Sequence, residues 1–395
     1  MKKSVKMLLA VCAFAFTVLL VSGTESKAAV NLGLKQTDAG SNSVDLEWNA
    51  YLGAGCYHVE FSADGKTWTK MGDSSTPKDY IDNLGANTAY YARVVVYGGS
   101  HYSGETAIAD SETVVVATEP SKVQNLTQTG ATANSISMSW SPVAGANGYV
   151  VYSYVNSDWV QVATSTSTSA TISGLPASSK LEYRVAATRA VTGGTIVGSK
   201  SDYVYMRTIP AQVSRVAMTD FYDNINVAYY GWTYVNNVDG YQFQLLNNKG
   251  KSLLNSYESS TSIRISPYYK GVFTKARVRA YITVGNTRLF GPWSGYNYNA
   301  SSKSVKMKRT KNRKKITVTW KKITGASGYR VYISTKSTGG WKKVKSLSSK
   351  KKSCTITKYG KKKLSKKKTY YVKVQYLTKV GKKNVASGVS GVGSI

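Results

Sequence analysis

The sequence predicts an all-β chain: a tandem array of four β-sandwiches behind a signal peptide. Three observations predict it. Trp48, Trp140, Trp232 and Trp320 recur at separations of 92, 92 and 88 residues, and nine residues after each comes a tyrosine, Tyr57, Tyr149, Tyr241 or Tyr329. A solenoid unit has about 20–50 residues, so this period suits a small domain instead. Around each tryptophan ("SVDLEW", "SISMSW", "NINVAYYGW", "KITVTW") apolar side chains fall at every second position, as in a half-buried strand. After the leader no helix-period segment of useful length occurs, and turn residues recur every ~8–12 positions, as in a sandwich.

Residues 1–29 are expected to be the signal peptide. Lys2, Lys3 and Lys6 precede the apolar run "MLLAVCAFAFTVLLVSG", and "SKAA" offers small residues for cleavage, most simply after Ala28. An apolar run of about 14–17 residues is short for a membrane span of about 20, so no transmembrane anchor is expected after cleavage.

Repeat one covers 30–118, repeat two 119–209, repeat three 210–300 and repeat four 301–395. "ATEPSKV" and "RTIPAQV" mark two boundaries, where proline blocks strand continuation, and the polar "NASSKS" marks the third. Within each repeat a Gly-rich bend ("GAG", "GANG", "NVDG", "GASG") follows the tryptophan, and the tyrosine heads the next strand. The eight residues Trp48, Trp140, Trp232, Trp320, Tyr57, Tyr149, Tyr241 and Tyr329 are therefore assigned to the cores. Trp68, Trp159 and Trp341 fall on one further, half-exposed strand, and Trp293 in "GPWSGY" on the last strand of repeat three. Cys12 lies in the leader. Cys56 and Cys354 lie in different repeats and read as small buried hydrophobes.

This pattern resembles bacterial secreted proteins built of tandem fibronectin type III-like, that is immunoglobulin-like, sandwiches. In that family the second strand carries a core tryptophan, the third a core tyrosine, and a leucine precedes a corner tyrosine by six residues. Leu84 with Tyr90 and Leu364 with Tyr370 match; Leu175 with Leu181 loses the tyrosine, and repeat three aligns Lys270 with Ala276. The resemblance covers nearly all of 30–395.

Catalytic chemistry is not expected. His58 and His101 are the only histidines, and neither has a companion at metal-ligand spacing. No nucleophile elbow, phosphate-cradling glycine loop or cofactor motif occurs, so no catalytic, cofactor or metal residue is assigned. Repeat one holds eleven carboxylates, among them Asp64, Asp73, Asp79 and Asp82, which are read as turn residues.

The charge is not evenly spread. Basic and acidic residues number 5 and 11 in repeat one, 6 and 4 in repeat two, 9 and 4 in repeat three, and 29 and none in repeat four. A surface without carboxylates cannot offset its own repulsion, and at a screening length of about 8 Å its lysines act together on a polyanion. The candidate ligand-binding lysines are Lys361, Lys362, Lys363, Lys366, Lys367 and Lys368, with Lys350, Lys351, Lys352, Lys314 and Lys315. The run at 361–368 accompanies extra length: Trp320 to Tyr370 spans 50 residues, against 42 for Trp48 to Tyr90. Twenty-six of the 29 cations are lysines, which suit diffuse, repetitive anions rather than base reading.

The expected function is thus non-catalytic extracellular binding or adhesion, with the basic repeat attached to an anionic cell-surface polymer. The partners expected are teichoic-type or peptidoglycan wall polymers of a Gram-positive-type bacterium, then sulfated glycans, and no specific nucleic acid. Repeat three, with 17 aromatics in 91 residues, offers a glycan-binding alternative. A purely architectural spacer is the third reading.

Overall fold

The computed structural model describes residues 29–99, 106–222, 225–269, 271–300, 305–387 and 391–395. The expected leader up to Ala28, with Cys12, lies outside them, as do His101 and Lys270; Ala29 opens the first strand, Ala29–Val30. Among the described residues no helix is long and apolar enough to cross a membrane.

Each repeat is built from a three-stranded sheet and a larger one. In repeat one Lys35–Ala39, Val44–Glu47 and Lys78–Ile81 form the small sheet, and Cys56–Ser62 pairs with both Thr69–Ser74 and Ala89–Tyr97 in the large one. In repeat two the small sheet is Thr127–Ala131, Ser135–Ser139 and Ser169–Ser173; Gly148–Val155 and Lys180–Val191 centre the large one. Val216–Tyr222, Val227–Trp232 and Ser262–Ile265 repeat the pattern, with Gly240–Asn247 and Phe273–Val284. So do Lys306–Arg309, Ile316–Thr319 and Ser353–Ile356, with Gly328–Ser334 and Tyr371–Val380. The chain also divides into two compact units, Met1–Thr127 with Ser139–Ala170 and Glu182–Val204, and Gln128–Met138 with Thr171–Leu181 and Tyr205–Ile395. The division runs through repeat two.

The structure explains why tryptophan and tyrosine stand nine residues apart. The two rings meet at 5.4, 5.3, 5.7 and 5.3 Å in repeats one to four. The bend between them would leave backbone groups unpaired, and a buried unpaired N–H is costly. The tyrosine hydroxyl reaches back six residues to accept the N–H three positions after the tryptophan. Tyr51, Val143, Val235 and Ile323 donate to Tyr57, Tyr149, Tyr241 and Tyr329 at 3.0, 3.1, 3.0 and 3.5 Å. One side chain thus fills the core and ties down the bend. All eight core residues are buried.

The corner tyrosines work in the same way: Gly85 donates its N–H to Tyr90 at 2.8 Å, and Ser365 to Tyr370 at 2.9 Å. Repeat three differs from the alignment expected for it. Tyr241 pairs with Ala280 as Tyr57 pairs with Val96, which puts Thr274, not Ala276, at the corner and Tyr268, not Lys270, six residues before it. Polarity is exchanged there: the Tyr268 hydroxyl lies 2.8 Å from Thr274 Oγ1 and 2.9 Å from the Tyr230 hydroxyl. Burial pushes both tyrosines above their ordinary pKa.

Two smaller expectations are corrected, and two further contacts were not anticipated. Asp73 and Asp79 lie in strands rather than turns. Trp293 precedes the last strand, Asn297–Ala300, and is not part of it. His58 does have a carboxylate companion: as the cross-strand partner of Asp73, its Nε2 lies 3.0 Å from Asp73 Oδ1. Finally, repeats three and four share core side chains, since Phe273 and Ala300 pack with Trp320, Tyr329 and their neighbours. Cys56 and Cys354 are buried and are not joined in a disulfide.

Candidate anion-binding site

The extra length of repeat four folds as a hairpin that no other repeat has among the described residues. Lys358–Tyr359 pairs with Lys362–Lys363, and Gly360 at φ 62° makes the turn. Its sequence does not favour this. Lys358 is directly opposite Lys363, and like charges facing across a ladder repel. Aromatic contacts hold the hairpin instead: Tyr359 meets Tyr370 at 5.9 Å, and the Lys342 ammonium lies 4.7 Å from the Tyr359 ring centre.

The following turn is fixed by arginine. Arg309 donates from Nη1 to the Lys368 carbonyl at 3.0 Å and from Nη2 to the Ser365 carbonyl at 2.5 Å, with Nε bound to the Arg313 carbonyl at 3.2 Å. Its charge serves backbone carbonyls, and burial lowers its pKa, helped by nearby Arg313. The turn that carries Lys366, Lys367 and Lys368 is thereby clamped to the strand Lys306–Arg309 while all three ammonium groups stay exposed.

Hairpin and turn enclose a half-open cleft of about 360 Å³, lined by Lys314, Lys315, Thr357, Lys358, Lys363, Leu364 and Lys366. Of the eleven lysines singled out from the sequence, Lys314, Lys315, Lys363 and Lys366 line it. Lys361 and Lys362 are exposed on the hairpin, and Lys367 and Lys368 on the adjacent turn. Lys350, Lys351 and Lys352 do not join them. They precede Ser353, which pairs with Thr319, whereas Lys315 precedes Ile316 at the other end of the same strand, about 10 Å away at the usual rise. The candidate lysines chosen from the sequence leave out Lys358, which stands just before the run at 361–368, and the positioning role of Arg309 carries no local signal.

No Asp or Glu exists in 301–395, so none of these ammonium groups has an acidic side chain of its own repeat to pair with. Among the described residues no group of three His, Cys, Asp or Glu is placed to hold a metal.

Residues 121–203 match the fibronectin type III domain family. That match spans nearly all of repeat two, which is similar to a fibronectin type III domain. The other repeats share its sheet pattern and its tryptophan–tyrosine core, and the chain is a tandem fibronectin type III-like array of β-sandwiches. A stretch of 119 residues is 34% identical to the Exochitinase 1 of Streptomyces olivaceoviridis, covering 29% of this chain and 19% of that protein. The chain therefore spans about a fifth of that relative's length. The crystal structure of the FN1–FN3 domains of chicken CNTN1 aligns over 70% of this chain and 99% of its own, at 15% identity and a TM-score of 0.26.

Proposed function

We propose that this chain is a non-catalytic, exported binding protein, held at an anionic cell-surface polymer by its basic fourth repeat. The observation that carries this reading is the cleft in which Lys314, Lys315, Lys358, Lys363 and Lys366 converge with no acidic side chain of their own repeat. Holding five ammonium groups together is unfavourable until counterions or an anionic ligand gather there. The hairpin and the arginine-clamped turn hold them in place in advance, which lowers the ordering cost of binding. Lysine makes point-charge contacts, so a flexible chain of phosphates or carboxylates fits better than a ligand read by bidentate geometry. Teichoic-type or peptidoglycan polymers of a Gram-positive-type wall suit an exported chain; sulfated glycans come next. The likeness to part of a chitinase is in keeping with a polysaccharide setting.

Co-sedimentation of the full chain with purified walls or teichoic acid tests the reading. Five displaced counterions should weaken binding by about 10²–10³-fold between about 50 and 200 mM salt. Changing the six lysines at 361–363 and 366–368 to serine should abolish most of it. Binding indifferent to salt, or unchanged in that variant, refutes the proposal.

A further inference from the structure

A second set of cations lies on the outer face of the large sheet of repeat three. Along the strand Phe273–Val284, Ala276, Val278, Ala280 and Ile282 are buried, and Lys275, Arg277, Arg279 and Tyr281 alternate on the other face. Aromatic rings separate the cations. Lys275 stands over Tyr296 at 4.7 Å, Arg277 over Trp293 at 4.2 Å, Arg279 over Trp293 at 4.4 Å and over Phe290 at 3.8 Å. Arg288 continues the row over Tyr257 at 4.4 Å.

Each central guanidinium is anchored on one side only. Arg277 Nε donates to Gln244 Oε1 and Arg279 Nε to Gln242 Oε1, both at 2.8 Å. Neither arginine has an ion-pair partner among the described residues. Glu258 on the neighbouring strand accepts from the Ser256 hydroxyl and follows Tyr257, so it projects from the opposite face. Burial lowers the Arg279 pKa, and neighbouring Arg277 lowers it further.

Repeat one shows what an internally neutralised version of this site looks like. Arg93 pairs with Glu60 across the ladder as Arg277 pairs with Gln244. Ser111 accepts the Val94 N–H as Ser294 accepts the Val278 N–H, so Asp110 and Trp293 occupy matching places. Arg93 lies over Trp68 at 4.4 Å and is bound by Glu60 at 2.7 Å, with Asp110 at 4.0 Å. Repeat three keeps the ring-backed arginine, replaces one carboxylate by an amide and the other by an indole, and adds Arg279. Both built-in carboxylates are gone, and Trp293, at the place of Asp110, supplies the ring contact that Trp68 supplies to Arg93.

We infer that this face of repeat three binds an acidic polysaccharide, whose carboxylates take the outward edges of Arg277 and Arg279 and whose rings lie along Trp293, Phe290 and Tyr296. The two arginines stand about 6.6 Å apart along the strand, and each presents a planar fork that matches a carboxylate. The aromatic rows hold those forks still, so little side-chain freedom is lost on binding. This site is separate from the lysine cleft and differs from it in kind: it uses fork geometry where repeat four uses density of charge.

Full-length protein is titrated with polygalacturonate, with neutral dextran as control, following tryptophan fluorescence and affinity electrophoresis. The expected result is a fluorescence change with polygalacturonate alone that disappears in W293F. In the six-lysine serine background, which removes the lysine cleft's own attraction for the polymer, R277Q/R279Q should bind at least about tenfold more weakly. R277K/R279K, which keeps the charge and loses the fork, should fall with it. R93Q, at the matched position of repeat one, and the six-lysine serine variant should keep the Trp293 signal. In that background, undiminished binding by a folded R277Q/R279Q chain, or full binding by R277K/R279K, overturns the inference. So does a fluorescence response to heparin with none to polygalacturonate, which would assign the face to sulfates.

Discussion

Replacing Tyr241 by phenylalanine removes one oxygen and tests the account of the nine-residue spacing. Both ends of its bond are buried: Tyr241 is 1% exposed and Val235 8%, so water does not easily replace the lost acceptor. An unsatisfied buried N–H costs about 1–3 kcal/mol. Tyr329 provides an internal control, because Ile323 donates to it at 3.5 Å, the limit of a useful bond, against 3.0 Å at Tyr241. Tyr329→Phe should therefore cost under about 1 kcal/mol. The chain holds several repeats, so a single melting temperature is not a defined quantity, and hydrogen exchange resolved by peptide is the proper assay. Exchange of the strand Gly240–Asn247 should accelerate about 5–150-fold in Tyr241→Phe. The strand Gly328–Ser334 should change by less in Tyr329→Phe. Equal effects at the two positions, or none at Tyr241, would show that the hydroxyl does not tie down the bend.

Two further outcomes follow from particular contacts. Phe273→Ala should destabilise repeat four as well as its own sheet, by about 3–5 kcal/mol, because that ring is part of the repeat-four core; unchanged exchange in Ile316–Thr319 would refute the shared core. Asp64 accepts the N–H groups of Thr67 and Lys66 and the Ser62 hydroxyl, which lower its pKa from 3.8 to about 2. A depressed folded-state pKa means that the turn gains this support above pH 3.8 and loses it as pH falls through about 2. Protection of the Lys66 and Thr67 amides should fall over that window and be absent from the outset in Asp64→Leu; protection independent of pH would contradict it.

Much of the architecture was legible because its causes are local. Alternation around Trp48, Trp140, Trp232 and Trp320 marks half-buried strands, and the fixed interval to the tyrosine reflects a bond between residues only six apart in sequence. The concentration of charge in 301–395 is likewise a property of composition. The corner of repeat three was not legible, and the reason is physical. Side chains in a strand repeat every two residues, so sliding "VRA" by two leaves the same residues facing inward and the pattern unchanged. Only the ladder between Tyr241 and Ala280 settles the register.

What the sequence by itself determined is the repeat, the core pair of each sandwich and the place of the charge, all carried by neighbours in the chain. What only the tertiary structure decided is which distant side chains meet. Lys314 and Lys363 share a cleft because a hairpin folds back beside the strand Ile316–Thr319, while Lys350 to Lys352 sit at that strand's other end. Arg277 and Arg279 stand without carboxylates because Gln244 and Gln242 face them across the ladder and Trp293 takes the place that Asp110 holds in repeat one. Composition counts charges, but pairing across strands sets which of them are neutralised within the fold and which remain for a partner.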